Sequence, residues 1–374
     1  MAPTSPVQSP PAWRRRIIQV AVTIGLALAG MAFGAFAATL ARGDAPRQGD
    51  GSLGEIALLL GAAVGLSFLA ILAHELGHLL GGRLVGFRFM LLIVGPLKVQ
   101  RVGDRLRFGL NRSLGLSGGL AACAPAPTDT ANLIRRMLIM VAGGPLASLA
   151  LGLLACTVVP LASGLGQAAL LLLGVISLAI AVATLIPLQT GGFQSDGRRI
   201  LMLLRGGAEA ERWGAAAAAA FTVMARRPRE IDPALIAAAT ALPDGSLDDV
   251  GAHFIGYSAA LDRGDQAAAE AHLSYVLAHR EAYPAALRSS LLLEGAFIAA
   301  QQGDAPGARS YFEQARGGAL IEPYTQARVE ATVLFAEGQP AEAAAKAREG
   351  LAAIERIRPG PPAELEADLL RAML

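Results

Sequence analysis

The sequence predicts a mainly α-helical, polytopic membrane protein: a four-span helical bundle with a small membrane-surface β-hairpin and a C-terminal soluble α-helical repeat domain. Three observations carry that expectation. Of 374 residues, 53% are hydrophobic and only 17% charged, where soluble domains carry about 25% charge. The apolar residues gather into four long runs, and from about Ala208 the composition turns to Ala, Glu and Arg at helical spacing. A mean hydropathy of +0.47 means that part of the chain uses lipid as its solvent. It excludes a wholly disordered or collagen-like chain.

Residues 1–16 form a short tail ending in Arg14, Arg15 and Arg16, a cytoplasmic signature. The first run, 17–40, is about 24 residues, enough for a hydrocarbon core of about 30 Å. Ala35-Phe36-Ala37 resembles a signal-peptidase site, but signal cores run only about 7–15 apolar residues, so an uncleaved span is expected. The other spans are expected at 56–80, 137–161 and 168–188, with Pro160 and Ser163-Gly164 turning the chain between the last two.

Orientation follows the basic residues. Arg83, Arg88, Lys98, Arg101, Arg105, Arg107 and Arg112 lie between spans two and three, and Arg198, Arg199 and Arg205 follow span four. The 41–55 loop balances its charges, and 161–167 has none. Four spans with both termini in the cytoplasm satisfy these counts. Small residues recur four apart, as Gly77 and Gly81 or Gly144, Ser148 and Gly152. Such rows allow close helix packing in lipid, and nothing more is expected of them.

Within 84–110 the period changes. Leu97-Lys98-Val99-Gln100 and Arg105-Leu106-Arg107-Phe108 alternate apolar and polar around Gly103-Asp104, the pattern of a β-hairpin with one greasy face. It could offer an unpaired edge to an extended peptide or lie as a membrane-surface loop.

The chemistry-bearing pattern is His74-Glu75-Leu76-Gly77-His78. Histidines at i and i+4 share one helix face and can reach one zinc ion, with the intervening glutamate placed as a general base. Ionisable groups inside an apolar span are costly and mark function by default, although three polar residues packed against neighbouring helices would leave the same trace. Counted from Ile56, His74 lies about 27 Å along the helix, near the cytoplasmic interface. A zinc hydrolase needs a third protein ligand and an open fourth position. Asp196 is the best candidate: it follows span four, after Pro187 and Gly191-Gly192 and before Gly197. An ordinary interfacial turn is the alternative for Asp196-Gly197.

These residues resemble the site-2 protease family of intramembrane zinc metalloproteases. The likeness rests on H-E-L-G-H in a span, Gly143-Gly144-Pro145 in the third, and Pro187 followed by Asp196-Gly197 after the fourth. It covers roughly residues 55–200 and implies a metalloprotease domain over 17–200. It also implies one Zn2+ per chain on His74, His78 and Asp196, with Glu75 catalytic. The implied substrate is a membrane protein, cut in or near a transmembrane segment within a lipid bilayer, in the manner of a bacterial inner-membrane enzyme. Three departures stand out: Thr184 where the family often has Asn, Ser195 where it often has Leu, and the extra Gly191-Gly192. They bear on substrate contacts more than on metal ligands.

Residues 201–374 resemble tetratricopeptide-like helical hairpins. Gly264-Asp265, Gly303-Asp304 and Gly338-Gln339 are 39 and 35 residues apart, and Ala308, Phe312 and Ala315 fall at that repeat's offsets. Stacked hairpins make a groove suited to a protein partner. His253, His272 and His279 lack ligand spacing and are expected at ordinary polar positions. A net charge of +2 offers no field for nucleic acid. Cys123 and Cys156 are too few for a disulfide scaffold or a four-thiolate zinc site. Two other functions remain open. One is a non-proteolytic scaffold with a structural or inactive metal site, which would have no need of Glu75. The other is a metal transporter, which would spread acidic residues or histidines through all the spans; spans one and three have none.

Overall fold

The computed structural model describes residues 53–102, 105–111, 118–125, 132–190, 193–283, 287–318 and 321–374. The expected first span at 17–40 lies outside them, as do the turns at Gly103-Asp104 and Gly191-Gly192. The described chain is mainly helical with a small antiparallel sheet.

Three helices are long and apolar enough to cross a membrane. Helix α1 is Leu53–Leu84, α2 is Leu133–Val158 and α3 is Gly164–Leu185. They pack on one another, with Ala70, Ala155 and Leu173 buried where they meet. Outward residues such as Leu69, Leu80, Leu146, Leu154 and Val182 are exposed, the arrangement expected of helices solvated by lipid. Helix α3 stops two residues before Pro187, whose missing N–H cannot continue the ladder. Helix α1 overruns the expected end at residue 80. His74 is therefore ten residues, about 15 Å, from its end at Leu84, and sits deeper along the helix than expected.

The expected hairpin is part of a larger sheet. Strands β1 (Arg88–Val94), β2 (Leu97–Val102), β3 (Arg105–Leu110) and β4 (Leu120–Ala124) pair antiparallel in the order β3-β2-β1-β4. The β2–β3 register, Val102 opposite Arg105, is the hairpin that the alternation predicts. Strand β4 lies beyond the expected 84–110 boundary. Its sequence, LAACA, is apolar or small throughout and shows no period of two. A two-stranded ribbon, β5 (Gln189–Thr190) and β6 (Phe193–Gln194), follows α3.

Helices α4 (Asp196–Arg205) and α5 (Ala208–Ala225) join the two halves. Met202 and Leu203 of α4 bury against Phe87, Met137 and Ala218, which seats α4 beneath α2 and the sheet. After the short α6 (Pro233–Ala239) come three helix pairs: α7 (Leu247–Arg263) with α8 (Gln266–Ala278), α9 (Arg288–Gln301) with α10 (Ala305–Ala315), and α11 (Pro323–Ala336) with α12 (Pro340–Ile357). Helix α13 (Glu364–Arg371) closes the array. Each pair turns at a glycine with positive φ: Gly264, Gly303 and Gly338. Asp265 and Asp304 then cap the following helix by accepting from the Ala268 and Gly307 N–H groups, each at 3.0 Å. Ala308, Phe312 and Ala315 are all buried.

His253 and His272, expected at ordinary polar positions, meet one another across the helix pair. They lie on paired helices with their Nδ1 atoms 3.0 Å apart, and Tyr275 stacks on His253. Helix pairing across 19 residues brings them together, which local spacing cannot reveal. Burial lowers the affinity of both rings for a proton.

One buried network ties the first helices of the three pairs to α13. Arg328 on α11 donates to Glu294 on α9 at 2.5 Å and to Glu366 on α13 at 2.6 Å. Tyr257 on α7 donates to Glu294 at 2.7 Å. Arg328 is only 2% exposed, so its removal strands two carboxylates away from water. Arg328→Ala should destabilise the helical domain by about 3–5 kcal/mol, measured by thermal or chemical unfolding of the detergent-solubilised chain. Lys346→Ala, which breaks the more exposed pair with Glu349, should change stability by less than about 1 kcal/mol.

Candidate metal centre

Helix α1 carries His74 and His78 on one face because they are four residues apart. Both are turned toward α2, where the backbones come close: a Cβ on Gly77 or Gly143 would strike the other residue's carbonyl. The row of small residues on α2 makes room for the imidazoles. A Cβ at Gly144 would collide with the His78 ring, and Ser148 lies 2.9 Å from His74 Nδ1. Neither role is expected from the sequence, where the row means only close packing; its alignment with the H-E-x-x-H face is the one signal that could have revealed them.

Asp196 arrives from the far side. After α3 ends, Ser195 fastens the chain. Its hydroxyl donates to the Ile186 carbonyl at 2.7 Å and accepts the Leu188 N–H at 2.9 Å, while its backbone N–H donates to the Leu188 carbonyl at 2.9 Å. Ser195 also caps α4, so Asp196 is that helix's first residue. Gly197 is the only residue type that fits next, since a Cβ there would overlap the Leu185 carbonyl.

The three side chains converge. His74 Nε2 lies 3.1 Å from Asp196 Oδ2, His78 Nε2 lies 3.5 Å from Asp196 Oδ1, and the two Nε2 atoms are 3.2 Å apart. Among the described residues this is a group that could hold a metal ion. The donor chemistry fits one. His78 Nδ1 is 3.1 Å from the Met140 carbonyl, which can only accept, so the neutral ring carries its proton on Nδ1 and presents a lone pair at Nε2. With Nδ1–H donated to Ser148, His74 does the same. In those tautomers two lone pairs and a carboxylate face one point, and they repel one another without a cation or a proton between them. The spacing fits as well: a tetrahedral ion with bonds of about 2.0–2.1 Å separates its ligand atoms by about 3.3–3.4 Å.

Glu75 is 7% exposed, and the Ala121 backbone N–H of β4 bonds its carboxylate. Gly119, at φ 111, packs on the Glu75 carboxylate where any Cβ would collide with it. A cavity of about 570 Å³ opens beside Glu75 and His74, between α1 and α3, walled by Ser67, Ile71, Val175, Ile176, Ala179 and Thr184. Thr184 thus faces the cavity, its hydroxyl donating to the Ala181 carbonyl at 3.3 Å.

No protein-family model matches this sequence, and neither the curated proteins nor the solved structures contain a match.

Gly144→Ala should displace the His78 ring and lower metal occupancy while helicity persists, read by metal analysis and circular dichroism of the same sample. Gly61→Ala, on a small-residue row with open space around it, should leave occupancy unchanged.

Proposed function

We propose that this chain is an intramembrane zinc metalloendopeptidase of the site-2 protease type, hydrolysing peptide bonds in or near transmembrane segments of other membrane proteins. One observation carries the reading: His74, His78 and Asp196 meet beside Glu75, at an apolar cavity walled by helices long enough to span a membrane. Three protein ligands rather than four favour a catalytic over a closed structural site. In this reading four spans, beginning at 17–40, place both termini in the cytoplasm.

A zinc ion on His74, His78 and Asp196 would polarise the scissile carbonyl and make water a nucleophile near neutral pH. The protein supplies the rest. Glu75 takes the proton from the attacking water and returns it to the leaving amine. The Ala121 N–H and the Gly119 backbone hold its carboxylate in place. The cavity receives an apolar substrate segment and keeps bulk water away.

A helical substrate hides its peptide bonds in its own hydrogen bonds, so it must unwind to be cut. The hairpin expected within 84–110 leaves β3 at one edge of the sheet, but the edge beside Glu75 is β4. Strand β4 pairs with β1 on one side and with no other strand among the described residues. Strand addition there would hold a substrate extended near the metal ligands. The stacked helix pairs provide a tetratricopeptide-like surface for a protein partner.

Glu75→Gln tests the reading. It should retain one zinc per chain and slow cleavage by about 10²–10⁴-fold, so that an uncut membrane protein accumulates in cells. A zinc-loaded variant with the wild-type cleavage profile would refute the proposal.

A further inference from the structure

We propose that Asp248 is a positioning residue that ties the helical domain to the segment bearing Asp196, so that metal affinity depends on how that domain is seated. The inference rests on the metal-site reading above.

Asp248 lies in the first turn of α7, after the N-cap Ser246. Its carboxylate accepts from Gln194 Nε2 at 3.0 Å and from Arg199 Nη1 and Nη2 at 3.0 and 3.4 Å. Gln194 is two residues before Asp196, and Arg199 three residues after it. One carboxylate from the helical domain therefore grips both flanks of the third metal ligand. The Arg199 and Asp248 side chains are 16% and 13% exposed, so these charge-assisted bonds are poorly screened by water. Arg199 also stacks on Trp213, with the guanidinium carbon 4.5 Å from the ring centroid.

Farther along, α4 is seated by its buried Met202 and Leu203, but the stretch just before Asp196 has little regular structure of its own. Strands β5 and β6 are two residues each, and the strong local fastening comes from Ser195 on the α3 side. Asp196 and Arg199 share the first turn of α4, so a displacement of Arg199 moves Asp196 with it. A partner or substrate that shifts α7 would reach Asp196 through this one carboxylate. The domain does not depend on Asp248 for its attachment. Arg212 on α5 separately binds Asp244 at 2.9 Å and the Leu242 carbonyl at 3.0 Å. Removal of Asp248 should therefore loosen the ligand segment without undocking the helices.

The test compares zinc affinity by chelator competition, and the visible absorption of the cobalt-substituted protein, across full-length variants in detergent. Asp248→Ala should weaken zinc binding about tenfold, the lower end for groups that orient metal ligands, and should alter the cobalt bands at nearly unchanged thermal midpoint. Asp248→Asn keeps an acceptor for Gln194 and should recover part of the affinity. Arg309→Ala, which breaks a comparable ion pair with Glu337 in the same domain, should leave affinity and spectrum intact. Wild-type affinity and spectrum in Asp248→Ala would overturn the inference, as would an equal loss in Arg309→Ala. If the wild type binds zinc in a His74-dependent manner, either result overturns this inference alone. If the wild type binds no zinc, the metal-site reading falls with it.

Discussion

Two imidazole lone pairs and a carboxylate brought to one point among apolar helices form the interaction on which the surrounding structure depends. Left alone, the three groups repel, and each is costly to remove from water. A shared cation would turn that repulsion into a bond between α1 and the chain that follows α3, two segments 122 residues apart. The close approach at Gly77 and Gly143, the gap at Gly144 and the fit of Gly197 under Leu185 all serve the convergence. A methyl group at any of these glycines would have to displace backbone or a ligand ring.

Each ligand is held from behind. The Met140 carbonyl orients His78 and Ser148 orients His74, which leaves both Nε2 atoms free for a metal. Asp196 is oriented by its neighbours, since Ser195 anchors it toward α3 while Gln194 and Arg199 reach the helical domain. The site is thus built between a packed helix pair and a short segment fastened on both flanks of Asp196.

Much of this was legible in the sequence because the relevant signals are local. Four-residue spacing places both histidines on one face, hydropathy marks the three described helices long and apolar enough to cross a membrane, alternation marks the β2–β3 hairpin, and Gly264, Gly303 and Gly338 mark the helix turns. Pro187 marked the end of α3, and the polar stretch after it contained Asp196. The parts that were not legible rest on long-range pairing. Strand β4 has no alternation to betray it. Gly144 and Ser148 belong to a row whose composition serves packing and ligand support equally well. The grip of Asp248 on Gln194 and Arg199 and the meeting of His253 with His272 depend on how separate elements dock. His74 sits deeper than expected because α1 continues through Gly81-Gly82, where close packing on α2 outweighs the poor helix propensity of glycine.

X-ray absorption at the zinc edge of the purified wild-type chain and of Asp196→Ala tests the central claim most directly. The account predicts one zinc per chain with two imidazole nitrogens and a carboxylate oxygen at about 2.0–2.2 Å, and loss of the carboxylate contribution in the variant. A sulfur shell, or a wild-type spectrum that Asp196→Ala leaves unchanged, would contradict it.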